Sequence, residues 1–197
     1  MLVGVMGKMG AGKTLSMSIL MEYCHYAMKA ELHANYGLRN ASRVKTTDDV
    51  WNMENGVFGF DEIWLTLDAR LWKDNTFLTR WINQTRKKKL IVFYTTQHIR
   101  QVELRVRNAT DVLIFVEKHP DGHWLQFIDW QYRLLMRRYF IPHSVTQKFY
   151  GIYDTYEVLE PLKKGKGHGQ GDFDRKNNFL KRAGANYRYG KVKDEDW

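Results

Sequence analysis

The sequence has little cysteine and proline, and it has no long apolar run. Its 197 residues include one cysteine and three prolines. A single cysteine excludes an internal disulfide framework and is consistent with a reducing cytoplasm. No apolar run approaches the ~18 residues of a membrane span, and no signal-peptide pattern opens the chain. We therefore expect a soluble protein with no transmembrane segment. The seven histidines have no cysteine partners at ligand spacing, which disfavours a zinc site.

Positive charge is in excess and is unevenly placed. The formal net charge is +9, and residues 163–197 carry ten Lys and Arg against five Asp and Glu. This excess favours a polyanionic partner, above all nucleic acid, although a merely soluble basic surface is the alternative. After Pro161 the sequence becomes rich in lysine and glycine, which is typical of a flexible linker. We expect one folded domain over residues 1–161 and a basic, flexible tail over residues 162–197.

A phosphate-binding motif lies near the start of the chain. It fits G-x-x-x-x-G-K-[ST] and reads Gly7-Lys8-Met9-Gly10-Ala11-Gly12-Lys13-Thr14. Its glycines let backbone N–H groups and the following helix N-terminus point at phosphate oxygens. Lys13 would reach the β- and γ-phosphates, and Thr14 would supply a hydroxyl to Mg²⁺. The motif predicts ATP and Mg²⁺ as cofactors, against the alternative of a glycine turn without a ligand.

Apolar segments alternate with amphipathic ones along the chain. The pattern predicts helices over residues 14–30, over 45–52 and from Asp74 or Asn75 to Lys88. It predicts strands over residues 2–6, 31–36, 57–60, 90–94 and 111–117, with an antiparallel hairpin around the turn at His119–His123. This alternation indicates an α/β fold with a mostly parallel sheet and helices on both faces.

Polar side chains follow two of the predicted strands. Asp61 and Glu62 come directly after the third strand, and Gln97 follows the fourth. Asp61 is suited to hold Mg²⁺, and Glu62 is suited to polarise an attacking water, as in a P-loop ATPase. Gln97 would lie beside the γ-phosphate if its strand lies between the first and the third. The alternatives are solvated acids at a strand end and a capping amide.

Together these motifs resemble the FtsK/HerA superfamily of DNA-pumping ATPases, and within it the viral genome-packaging ATPases and the zonular-occludens-toxin-like phage assembly ATPases. The resemblance spans residues 1–160 and rests on the segments 7–14, 60–64, 84–88, 94–97, 102–107 and 153–157. It implies a RecA-like core with strand order 5-1-4-3-2. It also implies a homo-oligomeric ring of about five or six subunits around DNA.

The resemblance further implies that an arginine from a neighbouring subunit completes each active site. The candidates are Arg105 and Arg107, which are slightly favoured, and Arg86. Each of them is a surface charge in the alternative interpretation. The tryptophans Trp64, Trp72 and Trp81 fit core or subunit packing better than base stacking.

Three classes of function remain open. The leading one is a motor that packages double-stranded viral DNA, without sequence specificity, into a preformed capsid. It would work in the host cytoplasm, docked on a capsid vertex or a virion membrane protein. This choice is favoured because the motif begins so close to Met1, with no anchor before it. The second is a phage assembly ATPase that extrudes single-stranded DNA. The third is a nucleotide kinase or nucleotide-gated binding protein; no Asn-Lys-x-Asp guanine signature supports a GTPase.

Overall fold

Eight strands form one sheet in the computed structural model, which describes residues 1–66, 80–154, 157–163 and 165. The strands are β1 (Leu2–Met6), β2 (Glu31–Ala34), β3 (Ser42–Arg43), β4 (Gly56–Phe60), β5 (Ile91–Thr96), β6 (Val112–His119), β7 (Gly122–Asp129) and β8 (Leu134–Pro142). The helices with both ends among the described residues are α1 (Lys13–Met28), α2 (Thr47–Asn52), α3 (Leu104–Ala109) and α4 (His143–Thr146). Short 3₁₀ turns cover Ile63–Leu65, Ile99–Gln101 and Gln147–Phe149.

The sheet is parallel over most of its width. Its order is β3-β2-β4-β5-β1-β6-β7-β8, and the pairs from β3 to β6 are all parallel. The pairs β6–β7 and β7–β8 are antiparallel. The predicted α/β class and hairpin are therefore confirmed. The five predicted strands keep the relative order 5-1-4-3-2, but the full order differs because β3, β7 and β8 extend the sheet at both edges.

Apolar side chains fill both faces of the sheet because the central strands alternate between them. Val3 and Val5 pack with Met17 of α1 on one face. Leu2, Phe58 and Trp81 belong to the cluster on the other face. Trp81 is fully buried, which agrees with the predicted packing role. Trp64 has a buried indole nitrogen, and Trp72 lies outside the described residues.

Two predicted helices end earlier than expected. Helix α1 stops at Met28 because Lys29 adopts a left-handed conformation (φ 52°) and donates its N–H to the carbonyl of His25. The helix predicted to reach Lys88 has its last helical residue at Ile82, and turns follow to Lys89. There Lys89 is also left-handed (φ 54°), and Leu90 N–H returns to the Thr85 carbonyl at 2.9 Å. This reversal directs the chain into β5. The predicted start of that helix, Asp74 or Asn75, lies outside the described residues.

The chain continues beyond the hairpin to a third antiparallel strand, β8, which the sequence analysis did not predict. Farther on, Lys163 N–H donates to the Lys45 carbonyl and its own carbonyl accepts from Thr47 N–H, both at 3.0 Å. Most of the predicted tail lies outside the described residues, so its role stays a prediction. Among the residues that the structure describes, no helix combines the length and apolar composition needed to cross a membrane.

Candidate active site

The phosphate-binding motif joins the end of β1 to the start of α1, the strand, loop and helix context that it requires. Gly10 (φ 74°) and Gly12 (φ 88°) both have left-handed backbones, which explains glycine at these positions. A Cβ atom at Gly10 would meet no atom of another described part of the chain within 4 Å, so the loop is open on that side. This open, glycine-lined cradle at a helix N-terminus fits a phosphate group.

The side chain of His123 packs against the phosphate-binding loop. A Cβ atom at Gly12 would lie 2.8 Å from the His123 ring, and His123 Nδ1 is 3.1 Å from the Ala11 carbonyl oxygen. Burial lowers the pKa of His123, although the contact with Ala11 opposes this shift. A neutral ring that donates from Nδ1 fits these surroundings. The sequence analysis placed His123 only in a turn, because nothing local relates it to a loop 112 residues away.

Asp61 and Thr14 meet at the carboxyl edge of the sheet. Thr14 Oγ1 donates to both carboxylate oxygens of Asp61, at 3.0 Å and 3.1 Å. Thr95 Oγ1 donates to Asp61 Oδ1 at 2.5 Å. Burial raises the pKa of Asp61, while the hydrogen bonds from Thr95 and Thr14 act in the opposite direction. A carboxylate and a hydroxyl in contact are oxygen donors that suit Mg²⁺, so these residues fit the predicted metal.

Lys13 lies close to the acids of this site. Its Nζ donates to the Lys8 carbonyl at 3.1 Å. Burial lowers the pKa of Lys13, and the charges of Asp61 and Glu62 oppose that effect. The predicted phosphate-binding cation and the two predicted acids are thus within electrostatic reach of one another.

Glu62 has an unusual backbone for a residue with a side chain. It is left-handed, with φ 48° and ψ 56°, and its N–H donates to Thr95 Oγ1 at 2.8 Å. Such conformations cost about 1–3 kcal/mol and concentrate at functional sites. Thr95 therefore contacts both acids, donating to Asp61 and accepting from Glu62. The sequence analysis did not assign Thr95 a role.

Asn35 is a second residue that the sequence analysis missed. It follows β2, is buried, and pairs with both backbone polar groups of Asp61. Its Oδ1 accepts from Asp61 N–H at 2.7 Å, and its Nδ2 donates to the Asp61 carbonyl at 3.1 Å. These two bonds fix the backbone on both sides of Asp61, the acid predicted to bind the metal.

Replacing Asn35 by alanine is expected to lower the free energy of unfolding by about 1–3 kcal/mol, because two buried backbone groups lose their partner. Urea denaturation of both proteins measures this loss. Asn52→Ala, at an exposed position, is the matched control and should stay within about 0.5 kcal/mol of the wild type. An Asn35→Ala protein as stable as this control would contradict the assigned role.

A cleft of about 270 Å³ lies above these groups. Its lining includes the P-loop residues Gly10, Gly12, Lys13 and Thr14, together with Tyr36 and Asp61. It also includes Tyr153, Asp154, Glu157 and Leu159, from near the end of the described chain. The segment 153–157, one of those on which the resemblance rests, therefore reaches the cleft through Tyr153, Asp154 and Glu157. Residues 155 and 156 lie outside the described residues.

Gln97 directly follows Thr96, the last residue of β5. Strand β5 lies between β1 and β4, which is the arrangement on which the prediction for Gln97 depended. The side chain is half-buried at the same edge of the sheet as the P-loop and Asp61. Its role beside a γ-phosphate stays a prediction.

Solved structures share this fold. The N-terminal domain of zonular occludens toxin from Neisseria meningitidis superposes with a TM-score of 0.56 at 14% identity, over 78% of this chain and 98% of that one. The DNA-packaging ATPase of Sulfolobus turreted icosahedral virus gives 0.55 at 11% identity, over 72% and 97%. The genome-packaging NTPase of Sulfolobus turreted icosahedral virus 2, bound to ATP-gammaS, gives 0.51 at 11%, over 72% and 97%.

The chain has the RecA-like P-loop NTPase fold. No protein-family profile matches it, and no curated protein matches it in sequence. At identities this low, the likeness to solved structures shows the RecA-like fold alone.

Within this RecA-like fold, Arg86 lies far from its own P-loop. Its guanidinium is 2.8 Å from Asp111 Oδ1, and Asp111 Oδ2 accepts from Leu2 N–H. Leu2 and Met6 are at opposite ends of β1, roughly 13 Å apart at about 3.3 Å per residue. The structure therefore does not bring Arg86 to the site of its own chain.

Arg105 and Arg107 lie on α3, which packs on the face of the sheet opposite α1 through Val106. Arg105 Nε is 3.3 Å from Glu103 Oε1. The buried Nε of Arg107 has no hydrogen-bond partner among the described residues. None of the three predicted arginines lines the cleft described above, so a role in a neighbouring subunit's site stays a prediction for each of them.

Proposed function

We propose that this chain is a Mg²⁺-dependent ATP hydrolase that drives DNA through a ring of about five or six copies of itself. The contact between the Thr14 hydroxyl and the Asp61 carboxylate, beside Lys13 and Glu62, carries the proposal. A P-loop alone holds phosphates. The pair of acids at the end of β4 adds a metal ligand and a group that can act on water.

Some side chains of the site bind the nucleotide, and others act in its hydrolysis. Lys13 and the N–H groups of the P-loop bind the phosphates, and Thr14 and Asp61 would hold Mg²⁺. Bound Mg²⁺ supplies positive charge that neutralises the phosphate oxygens. Glu62 orients the attacking water and accepts its proton, while Gln97 contacts the terminal phosphate from the end of β5. An arginine from the neighbouring subunit, Arg105, Arg107 or Arg86, completes the site.

The favoured task is packaging of double-stranded viral DNA into a capsid. The likeness to genome-packaging ATPases and the net charge of +9 support it. Basic residues that contact the phosphate backbone would bind DNA without sequence preference. The protein would work in the host cytoplasm, docked to a capsid or virion membrane protein. The likeness to the zonular occludens toxin domain favours a second candidate, phage assembly with extrusion of single-stranded DNA.

DNA-stimulated ATP hydrolysis tests the proposal. We expect Mg²⁺-dependent phosphate release that double-stranded DNA of any sequence accelerates. Electron micrographs with a non-hydrolysable ATP analogue should contain rings. Stronger stimulation by single-stranded DNA and co-sedimentation with membranes would favour the assembly ATPase instead. Phosphate transfer from ATP to a nucleoside monophosphate, with no rings, would contradict both motors and indicate a kinase.

A further inference from the structure

Arg43 lies at the same edge of the sheet as the P-loop. It is the last residue of β3, which pairs in parallel with β2, and β2 pairs in parallel with β4. Ala34 of β2 is opposite both Arg43 and Gly59. Neighbouring strands are about 4.8 Å apart, so Arg43 is roughly 10 Å from the strand that leads into Asp61. The sequence analysis did not consider this arginine.

The Arg43 side chain is held by an acid that lines the nucleotide cleft. Its Nη2 donates to Glu157 Oε1, and Gly37 N–H donates to Glu157 Oε2 at 2.6 Å. Arg43 lowers the pKa of Glu157, so this carboxylate is ionised and the pair is a salt bridge. Glu157 lines the same cleft as Lys13 and Asp61. The side chains are 34% and 23% exposed, so solvent reaches both partners.

The charges around the cleft are poorly matched to a triphosphate. Asp61, Asp154 and Glu157 line it, and Lys13 is its cationic lining residue. Mg²⁺ offsets part of the negative charge of a nucleotide, but the carboxylates that line the cleft repel the remainder. A guanidinium binds carboxylate and phosphate oxygens with the same forked geometry. Arg43 does not itself line the cleft, but it contacts Glu157, which does, so a phosphate bound there would compete with Glu157 for the guanidinium.

We infer that Arg43 is a phosphate-binding residue of its own subunit's active site and exchanges Glu157 for the terminal phosphate of a bound nucleoside triphosphate. This inference rests on the nucleotide site proposed above. It assigns Arg43 a role within the subunit, distinct from the arginines expected from a neighbour. It also gives Glu157 a role, because the carboxylate opposes triphosphate binding until the guanidinium changes partner.

Calorimetric titration with Mg²⁺ and either ATP-gammaS or ADP tests this exchange. Arg43→Gln should weaken ATP-gammaS binding by about 10-fold or more, the value of a charged hydrogen bond, and should leave ADP binding nearly unchanged. Glu157→Gln should tighten ATP-gammaS binding by about fivefold, because a competing charge is removed. A salt bridge with only a structural role would make both variants change affinity in the same direction, and that result would overturn the inference.

Two controls distinguish a role of Arg43 in phosphate binding from a role in stability. Arg39→Gln removes a nearby arginine that contacts the Gly151 carbonyl at 3.4 Å, and it should bind both nucleotides like the wild type. The charge swap Arg43→Glu with Glu157→Arg should restore the thermal stability lost in Arg43→Gln without restoring ATP-gammaS affinity. Recovery of affinity in the swap would contradict the inference. Absence of hydrolysis in the wild type would defeat the proposed ATPase, yet these binding results would still decide the role of Arg43.

Discussion

Glu62→Gln is expected to lower kcat for ATP hydrolysis by about 1,000-fold, within the range of general-base catalysis, while nucleotide affinity changes little. Glutamine keeps the size of the side chain and can occupy the same left-handed backbone, but it cannot accept a proton from water. The hydrogen bond from the backbone N–H of residue 62 to Thr95 Oγ1 does not involve the side chain of residue 62, so the local geometry should be retained. Phosphate release and titration with ATP-gammaS measure the two quantities separately.

Glu54→Gln is the matched control for this experiment. Glu54 is 74% exposed, 3.8 Å from Lys88, and precedes β4 at the opposite end from Glu62. The same chemical change there should leave kcat within about twofold of the wild type, since exposed ion pairs contribute little. If Glu62→Gln hydrolyses ATP as fast as this control, the catalytic base has been assigned to the wrong residue.

Asp61→Asn is expected to reduce Mg²⁺-dependent hydrolysis by about 1,000-fold or more, because bound metal contributes several kcal/mol to phosphoryl transfer. The neutral amide can still accept from the hydroxyls of Thr14 and Thr95, so the local hydrogen bonds persist. The affinity for nucleotide should lose its dependence on Mg²⁺ concentration. Asp121→Asn, at a side chain that is 80% exposed, is the control and should keep both properties.

The same substitution should stabilise the protein when no nucleotide is added. Burial raises the pKa of Asp61 above its ordinary value of 3.8. Between that value and the folded pKa, the folded chain binds more protons than the unfolded chain, so wild-type stability falls as pH rises through this window. Asparagine has no such titration. We therefore expect a higher Tm for Asp61→Asn than for the wild type at neutral pH, and a smaller difference below pH 3.8. Equal Tm values at neutral pH would contradict a destabilising buried charge.

The parts of the site that could be predicted are those whose signal is local. The P-loop is one continuous motif, and Asp61 and Gln97 each follow an apolar strand. The contact of Asp61 with Thr14 follows from a general property of parallel sheets, in which the carboxyl ends of the strands share one edge. The contact between Thr14 and Asp61 was therefore predictable although 47 residues separate them.

The missed residues depend on long-range packing with no local signal. Asn35 contacts Asp61 across 26 residues, and Arg43 contacts Glu157 across 114. In the sequence, an asparagine after a strand is typical of a turn, and a single arginine is typical of the charged surface. Strand β8 was missed because its exposed apolar residues, such as Leu134 and Leu135, lack the alternation of a half-buried strand. Arg86 was named from its position in a motif, but that position gave no sign of its ion pair with Asp111.

The central position of β1 has a consequence for how the chain folds during synthesis. Residues 2–6 pair with β5 and β6, whose residues 91–96 and 112–115 are made much later. Until then the strand has no neighbours, and its apolar residues and free backbone edges favour aggregation or chaperone binding. The loop that follows β1 also packs against His123, which belongs to β7. A ribosome must therefore extend the chain through β7 before the nucleotide site near its beginning can take shape.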